Sequence, residues 1–80
     1  MKVKKRDGSR QEFDKYKIVN ALKKAGNLNA DIVFNIVNRV THKLFSGEEA
    51  TVDNIQRLVE NELILAGECD TARDYISYRY

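Results

Sequence analysis

The sequence predicts a mainly helical α+β domain, and three observations predict it. The chain opens with a cationic run around an Asp-Gly turn signal. Four later stretches place apolar residues at helical spacing, and no proline interrupts any of them. With 80 residues the chain is one domain. It buries roughly 60% of its unfolded surface, enough to fold alone with a small margin.

Residues 2–6 and 10–13 read as two short strands around Asp7-Gly8-Ser9. A three-residue loop there sets Val3 opposite Phe13 and Lys5 opposite Gln11, with both apolar residues on one face. A two-residue Asp-Gly turn offsets Val3 from Phe13 by one position and turns one of them to water, so the first register is expected. Two strands alone are marginal and need further structure beneath them. Asp14 is a good N-cap for a helix over 15–25, with Ile18, Ala21, Leu22 and Ala25 on one stripe and Gly26 as its stop. After the connector Asn27-Leu28-Asn29, a second helix is expected over 30–45, ending at Ser46-Gly47. Its apolar set (Ile32, Val33, Ile36, Val37, Val40, Leu44) is broad enough for a central buried helix.

Thr51-Val52 favour an extended backbone and are expected to add a third strand to the hairpin. Asp53 and Gln56 then have the spacing of a capping box for a third helix through Ile55, Leu58, Val59, Leu63 and Ala66, stopped by Gly67. Asp70 is expected to cap a fourth helix with Ala72, Tyr75, Ile76 and Arg79 on one stripe. No stop signal follows, so the helix is expected to run on in a longer protein.

Net charge is +2, but residues 1–24 carry a balance of +6 and the remainder −4. Such a field draws an anion to one end of the molecule. No apolar run reaches the ~20 residues of a membrane span, and no signal peptide opens the chain. The single cysteine, Cys69, forms neither an internal disulfide nor a zinc site by itself. A reduced, cytoplasmic setting is expected.

The main candidate site is the cluster Lys4, Lys5, Arg6, Arg10 with Lys17. Strand alternation sends Lys5 to one face and Lys4 and Arg6 to the other, so only part of the cluster meets one ligand. Lys17 lies in the first turn of a helix, where unpaired backbone N–H groups and the dipole also favour an anion. The combination suits a polyphosphate. Lysines also commonly guard sheet edges, and spacing alone favours that plainer reading. Neither the Walker nor the dinucleotide glycine pattern is present. His42 is read as a surface or partly packed histidine, Cys69 as a small buried residue, and Tyr75, Tyr78 and Tyr80 as core or interface rather than base-stacking groups. No catalytic constellation and no metal site are evident. Gln56 and Val52 form a second candidate. A capping-box Gln normally serves its own helix, but a strand at Thr51-Val52 would turn Gln56 toward the same site as Lys17, where its amide suits a base edge or ribose.

Three separated motifs occur in order: Val3-Lys4-Lys5-Arg6-Asp7-Gly8 with Glu12-Phe13-Asp14, Lys17-Ile18 and Ala21; Val52-Asp53-Asn54-Ile55-Gln56-Arg57-Leu58-Val59-Glu60; and Ala72-Arg73-Asp74-Tyr75-Ile76-Ser77-Tyr78-Arg79. Together they resemble the ATP-cone domain across essentially the whole chain, and the ending is most similar to that of anaerobic ribonucleotide reductases. The resemblance implies a small four-helix bundle capped by the hairpin and a third short strand. It implies a single domain over 1–80 that serves as the N-terminal regulatory segment of a larger protein. Its role would be that of an activity switch binding ATP or dATP, with Mg2+, and having no chemistry of its own. The larger protein would be a ribonucleoside-triphosphate reductase. By the same resemblance Lys5, Arg6 and Lys17 meet phosphates, Val3 packs on adenine, and Gln56 also touches nucleotide. The expected partners are the effector, the rest of a reductase chain or another subunit, and a second copy; no membrane and no nucleic acid are expected. The alternatives are the cone of a transcriptional repressor, a basic nucleic-acid-binding module, and a protein-interaction bundle.

Overall fold

The computed structural model describes every residue except Asn27, Arg79 and Tyr80, and side chains as far as Tyr75. The element order is β1 (Lys2–Lys4), β2 (Arg10–Glu12), α1 (Lys15–Ala25), α2 (Ala30–Phe45), α3 (Val52–Leu65) and α4 (Cys69–Tyr78). Helix α1 packs on α2 and α4, and α3 packs on the same two, so the four helices close a ring around one core. Leu22, Val33, Val37, Val40, Val59 and Leu63 are its fully buried centre. The mainly helical α+β architecture expected from the sequence is the one observed.

Helices α1 and α2 have the expected bounds because their signals are local. Asp14 Oδ1 accepts from the Tyr16 amide at 3.0 Å, and Asn29 Oδ1 accepts from the Asp31 amide at 2.7 Å. Gly26 does end α1, but with φ −175° it is extended rather than left-handed. Its value is space: a Cβ there would lie 2.9 Å from Thr71 Oγ1 on α4.

The hairpin differs from the expected register. Val3 pairs with Gln11, Lys2 with Glu12 and Lys4 with Arg10. The loop has three residues, as expected, but they are Arg6-Asp7-Gly8. Lys5 closes it, donating its N–H to Ser9 O at 2.8 Å and accepting from Gly8 N at 3.0 Å. Gly8 takes φ +89°, the left-handed position that follows a type I turn in a three-residue hairpin. Val3 and Phe13 are therefore diagonal rather than opposite, yet both still face the helices, with Val3 buried and Phe13 half-buried.

The third strand is reduced to one parallel bridge between Lys4 and Thr51, in which Lys4 N donates to Ala50 O at 2.9 Å. The chain turns helical at once, because Thr51 and not Asp53 is the N-cap: its Oγ1 accepts from the Asn54 amide at 3.1 Å. The expected Asp53–Gln56 capping box is not formed. Helix α4 begins at Cys69, one residue before the expected Asp70 cap, with Ala72 N donating to Glu68 O at 2.9 Å. Cys69 is exposed rather than buried. Ala72 and Tyr75 reach the core as expected, whereas the Ile76 and Tyr78 side chains, Arg79 and Tyr80 lie outside the described residues.

Candidate functional site

Between the hairpin and the helix ring lies a cleft of about 620 Å³, its open mouth included. Its apolar floor comes from five places in the chain: Val3 of β1, Phe13 after β2, Ile18 and Ala21 of α1, Ile55 of α3 and Tyr75 of α4. The hairpin register is what delivers Val3 and Gln11 to the same wall.

The first turns of two helices line this cleft. Asp14, Lys17 and Ile18 bring the start of α1, while Val52, Ile55 and Gln56 bring the start of α3. Both starts are capped, the Tyr16 amide by Asp14 Oδ1 and the Asn54 amide by Thr51 Oγ1, and each keeps the positive end of a dipole, which favours an anion. Lys17 adds a full charge. Its side chain is exposed, and Nζ donates to Gln11 Oε1 at 3.4 Å, a long contact that a stronger acceptor readily replaces. Glu12, also on the rim, is neutralised from behind by Lys2 Nζ at 2.9 Å and the terminal amine at 3.4 Å. These cations hold its carboxyl below the ordinary 4.5.

Of the candidate site residues singled out from the sequence, Val3, Lys17, Val52 and Gln56 line the cleft together. Gln56 is 5% exposed, with its amide in the wall. Arg6 stands behind that wall: Nη2 donates to Gln56 Oε1 at 3.3 Å and Nε donates to Asp53 Oδ1 at 2.7 Å. Lys5 is exposed on the hairpin loop, near Asp7, and is not among the lining residues. Lys4 and Arg10 are exposed and do not line the cleft.

Sequence reasoning missed Gln11, Phe13 and Asp14 as wall residues. It took Tyr75 for core or interface; Tyr75 is indeed buried, but it also lines the cleft. The alternation of Gln11 with Phe13 was a usable signal for one wall, but only once the register was known.

No helix among the described residues is long and apolar enough to cross a membrane. The chain is similar to known proteins along its length. The family model of the ATP cone domain matches residues 1–80. An anaerobic ribonucleoside-triphosphate reductase of Haemophilus influenzae is 38% identical over 84 residues, covering 98% of this chain and 12% of that protein. The ribonucleoside-diphosphate reductase alpha subunits of two chlamydiae are also similar. That of Chlamydia pneumoniae is 46% identical over 50 residues, covering 62% of this chain and 5% of the subunit. That of Chlamydia muridarum is 32% identical over 94 residues, covering 96% and 9%. The chain thus spans about an eighth or less of these relatives. A hairpin laid over two converging helix starts, and a family match from the first residue to the last, lead to one conclusion: the chain belongs to the ATP-cone domain family.

Proposed function

We propose that the chain is a regulatory nucleotide-binding domain that takes ATP or dATP, with Mg2+ carried on the phosphates, and switches the activity of a ribonucleotide reductase. The observation that supports this best is the convergence of two helix N-termini and Lys17 over an apolar floor. That is the complement of a nucleotide: a flat apolar base at one end and concentrated negative charge at the other. In this reading Val3 packs on the adenine, and Gln56 meets a base edge or the ribose. Lys17 takes phosphate at the mouth, and the hairpin closes over the phosphates with Lys5 and Arg6. Lysines serve as point charges and the arginine as a bidentate clamp.

The domain performs no chemistry of its own. ATP and dATP differ by one hydroxyl, so a switch requires two arrangements of an interface that bind the two effectors with different affinity. That interface is with the rest of a reductase chain, with another subunit, or with a second copy of the cone. The similarity to an anaerobic triphosphate reductase favours that class as the parent, working in the cytoplasm.

The test is calorimetric titration of the chain with ATP and dATP, repeated on Lys17→Ala. Saturable binding is expected. Because Lys17 is exposed, its loss leaves the fold intact and weakens binding at least roughly tenfold, as for a hydrogen bond to a charged group. An intact chain that binds neither nucleotide would refute the proposal.

A further inference from the structure

The phosphate contact proposed for Arg6 competes with the bonds that Arg6 makes in this structure. Its guanidinium donates through Nε to Asp53 Oδ1 at 2.7 Å and through Nη2 to Gln56 Oε1 at 3.3 Å. Asp53 and Gln56 belong to the first turns of α3, whereas Arg6 sits in the hairpin loop, 47 residues away from Asp53 in sequence. Together with the Lys4–Ala50 backbone bond, these contacts fasten one edge of the hairpin to the entry of α3. A guanidinium has donors and no acceptor, so the Gln56 atom facing it must be the amide oxygen. Arg6 thus holds the oxygen end of a buried amide in the cleft wall.

The strength of this fastening matters. Both partners are open to solvent, at 51% for Arg6 and 67% for Asp53. An exposed pair is screened and contributes little, so it positions the guanidinium yet yields to a stronger anion. A triphosphate is such an anion, with several charges and oxygens spaced for bidentate contact.

We propose that the Arg6–Asp53 pair is a latch that a nucleoside triphosphate opens. Arg6 leaves the Asp53 carboxylate for the phosphates and releases the Gln56 amide oxygen in the same movement. The phosphate end of the ligand is thereby coupled to the group that meets its base or sugar. Asp53, which does not line the cleft, then sets the affinity by competing for Arg6. This inference rests on the nucleotide-binding reading given above.

The test is a double-mutant cycle of ATP affinity on the intact chain, with Asp53→Asn, Arg6→Ala and both together. Nuclear magnetic resonance of the Arg6 Nε–H signal supplies a second readout. Asp53→Asn is expected to tighten ATP binding about two- to fivefold, the range for loss of an exposed ion pair. The gain should disappear in the Arg6→Ala background, where Lys17 and Lys5 still support measurable binding. The Nε–H signal should move on saturation with ATP, and Asp53→Asn should move it without ATP. Thermal melts establish that each variant is folded, with Asp53→Ser as the substitute should Asn disturb the start of α3. Equal affinity of wild type and Asp53→Asn, weaker binding by Asp53→Asn, a gain that persists without Arg6, or an Nε–H signal indifferent to ATP overturns the latch and leaves the nucleotide reading standing. Failure of the wild type to bind ATP at all overturns both.

Discussion

Asp7 and Glu12 make the hairpin sensitive to acid, each through named partners. Asp7 Oδ1 accepts from Ser9 Oγ at 2.6 Å and from Ser9 N at 2.9 Å, and these bonds, helped by the nearby Lys5 charge, hold its carboxyl below the ordinary 3.8. Glu12 is held below 4.5 by the bond from Lys2 and by the terminal amine. For a carboxylate whose folded value is depressed, the stabilisation is complete above the unfolded value and is lost as pH falls through the folded one. The hairpin should therefore loosen as pH drops below 4.5 and then 3.8, while α2, which owes nothing to these groups, keeps its helical signals. Backbone chemical shifts of Val3 and Gln11 should drift toward coil values in that window, ahead of any in α2, and simultaneous loss of both sets would sink the idea. Because the side-chain bond from Ser9 is the largest cause of the Asp7 shift, Ser9→Ala should return the Asp7 titration toward 3.8. An Asp7 carboxyl that titrates identically in Ser9→Ala would remove that cause.

At the scale of elements, two contacts between helices are exposed to single substitutions. Gly26 lets the end of α1 approach α4, and its extended φ means that an Ala there would cost space and no backbone strain. Gly26→Ala is expected to destabilise the fold by about 1–3 kcal/mol through overpacking against Thr71. Thr71→Ala in the same chain should recover much of that in denaturant melts, and an additive double mutant would deny the contact. Between α2 and α3 the carboxylate of Glu62, 4% exposed, faces Lys43 Nζ at 3.0 Å and Arg39 Nη1 at 3.6 Å. Lys43→Ala leaves that buried charge with the longer contact alone and should cost roughly 1–3 kcal/mol, whereas adding Glu62→Gln should soften the loss. These elements also mark what sequence could and could not tell. Helices α1 and α2 were legible to the residue because an apolar stripe and its stop are local signals, joined in α1 by the Asp14 cap; Asn29, the cap of α2, was read only as part of a connector. The start of α3 was misread because Asp53 and Gln56 fit a local capping pattern while their partner is Arg6 of a distant hairpin. Thr51 takes the cap and leaves Asp53 to that pairing. Gln11 and Phe13 were invisible as site residues for a related reason. A strand's local alternation identifies a face, but only the register says what that face looks at.

At the scale of the whole molecule, the cleft is walled by the hairpin, α1, α3 and α4, and α2 is packed on two of these helices. A ligand held by all four walls binds the assembled domain and has no counterpart in the unfolded chain, where Val3, Lys17, Gln56 and Tyr75 are scattered. Binding must then raise the unfolding free energy by RT ln(1 + [L]/Kd), about 2.7 kcal/mol at a hundredfold excess over Kd. For a domain of this length each kcal/mol moves the midpoint by roughly 4–8 °C, so ATP at that excess should raise Tm by roughly 10–20 °C. The rise should continue with the logarithm of ATP concentration and shrink in Lys17→Ala at equal concentration. A basic surface that merely gathers anions would behave differently. Inorganic triphosphate would then stabilise the chain as well as ATP does, and moderate salt would abolish both effects, since exposed charges are screened within about 8 Å at physiological ionic strength. The apolar floor of Val3, Phe13, Ile18 and Tyr75 makes the opposite demand: ATP should outperform inorganic triphosphate, and part of its stabilisation should survive salt. Equal shifts from the two ligands would mean that the floor binds no base.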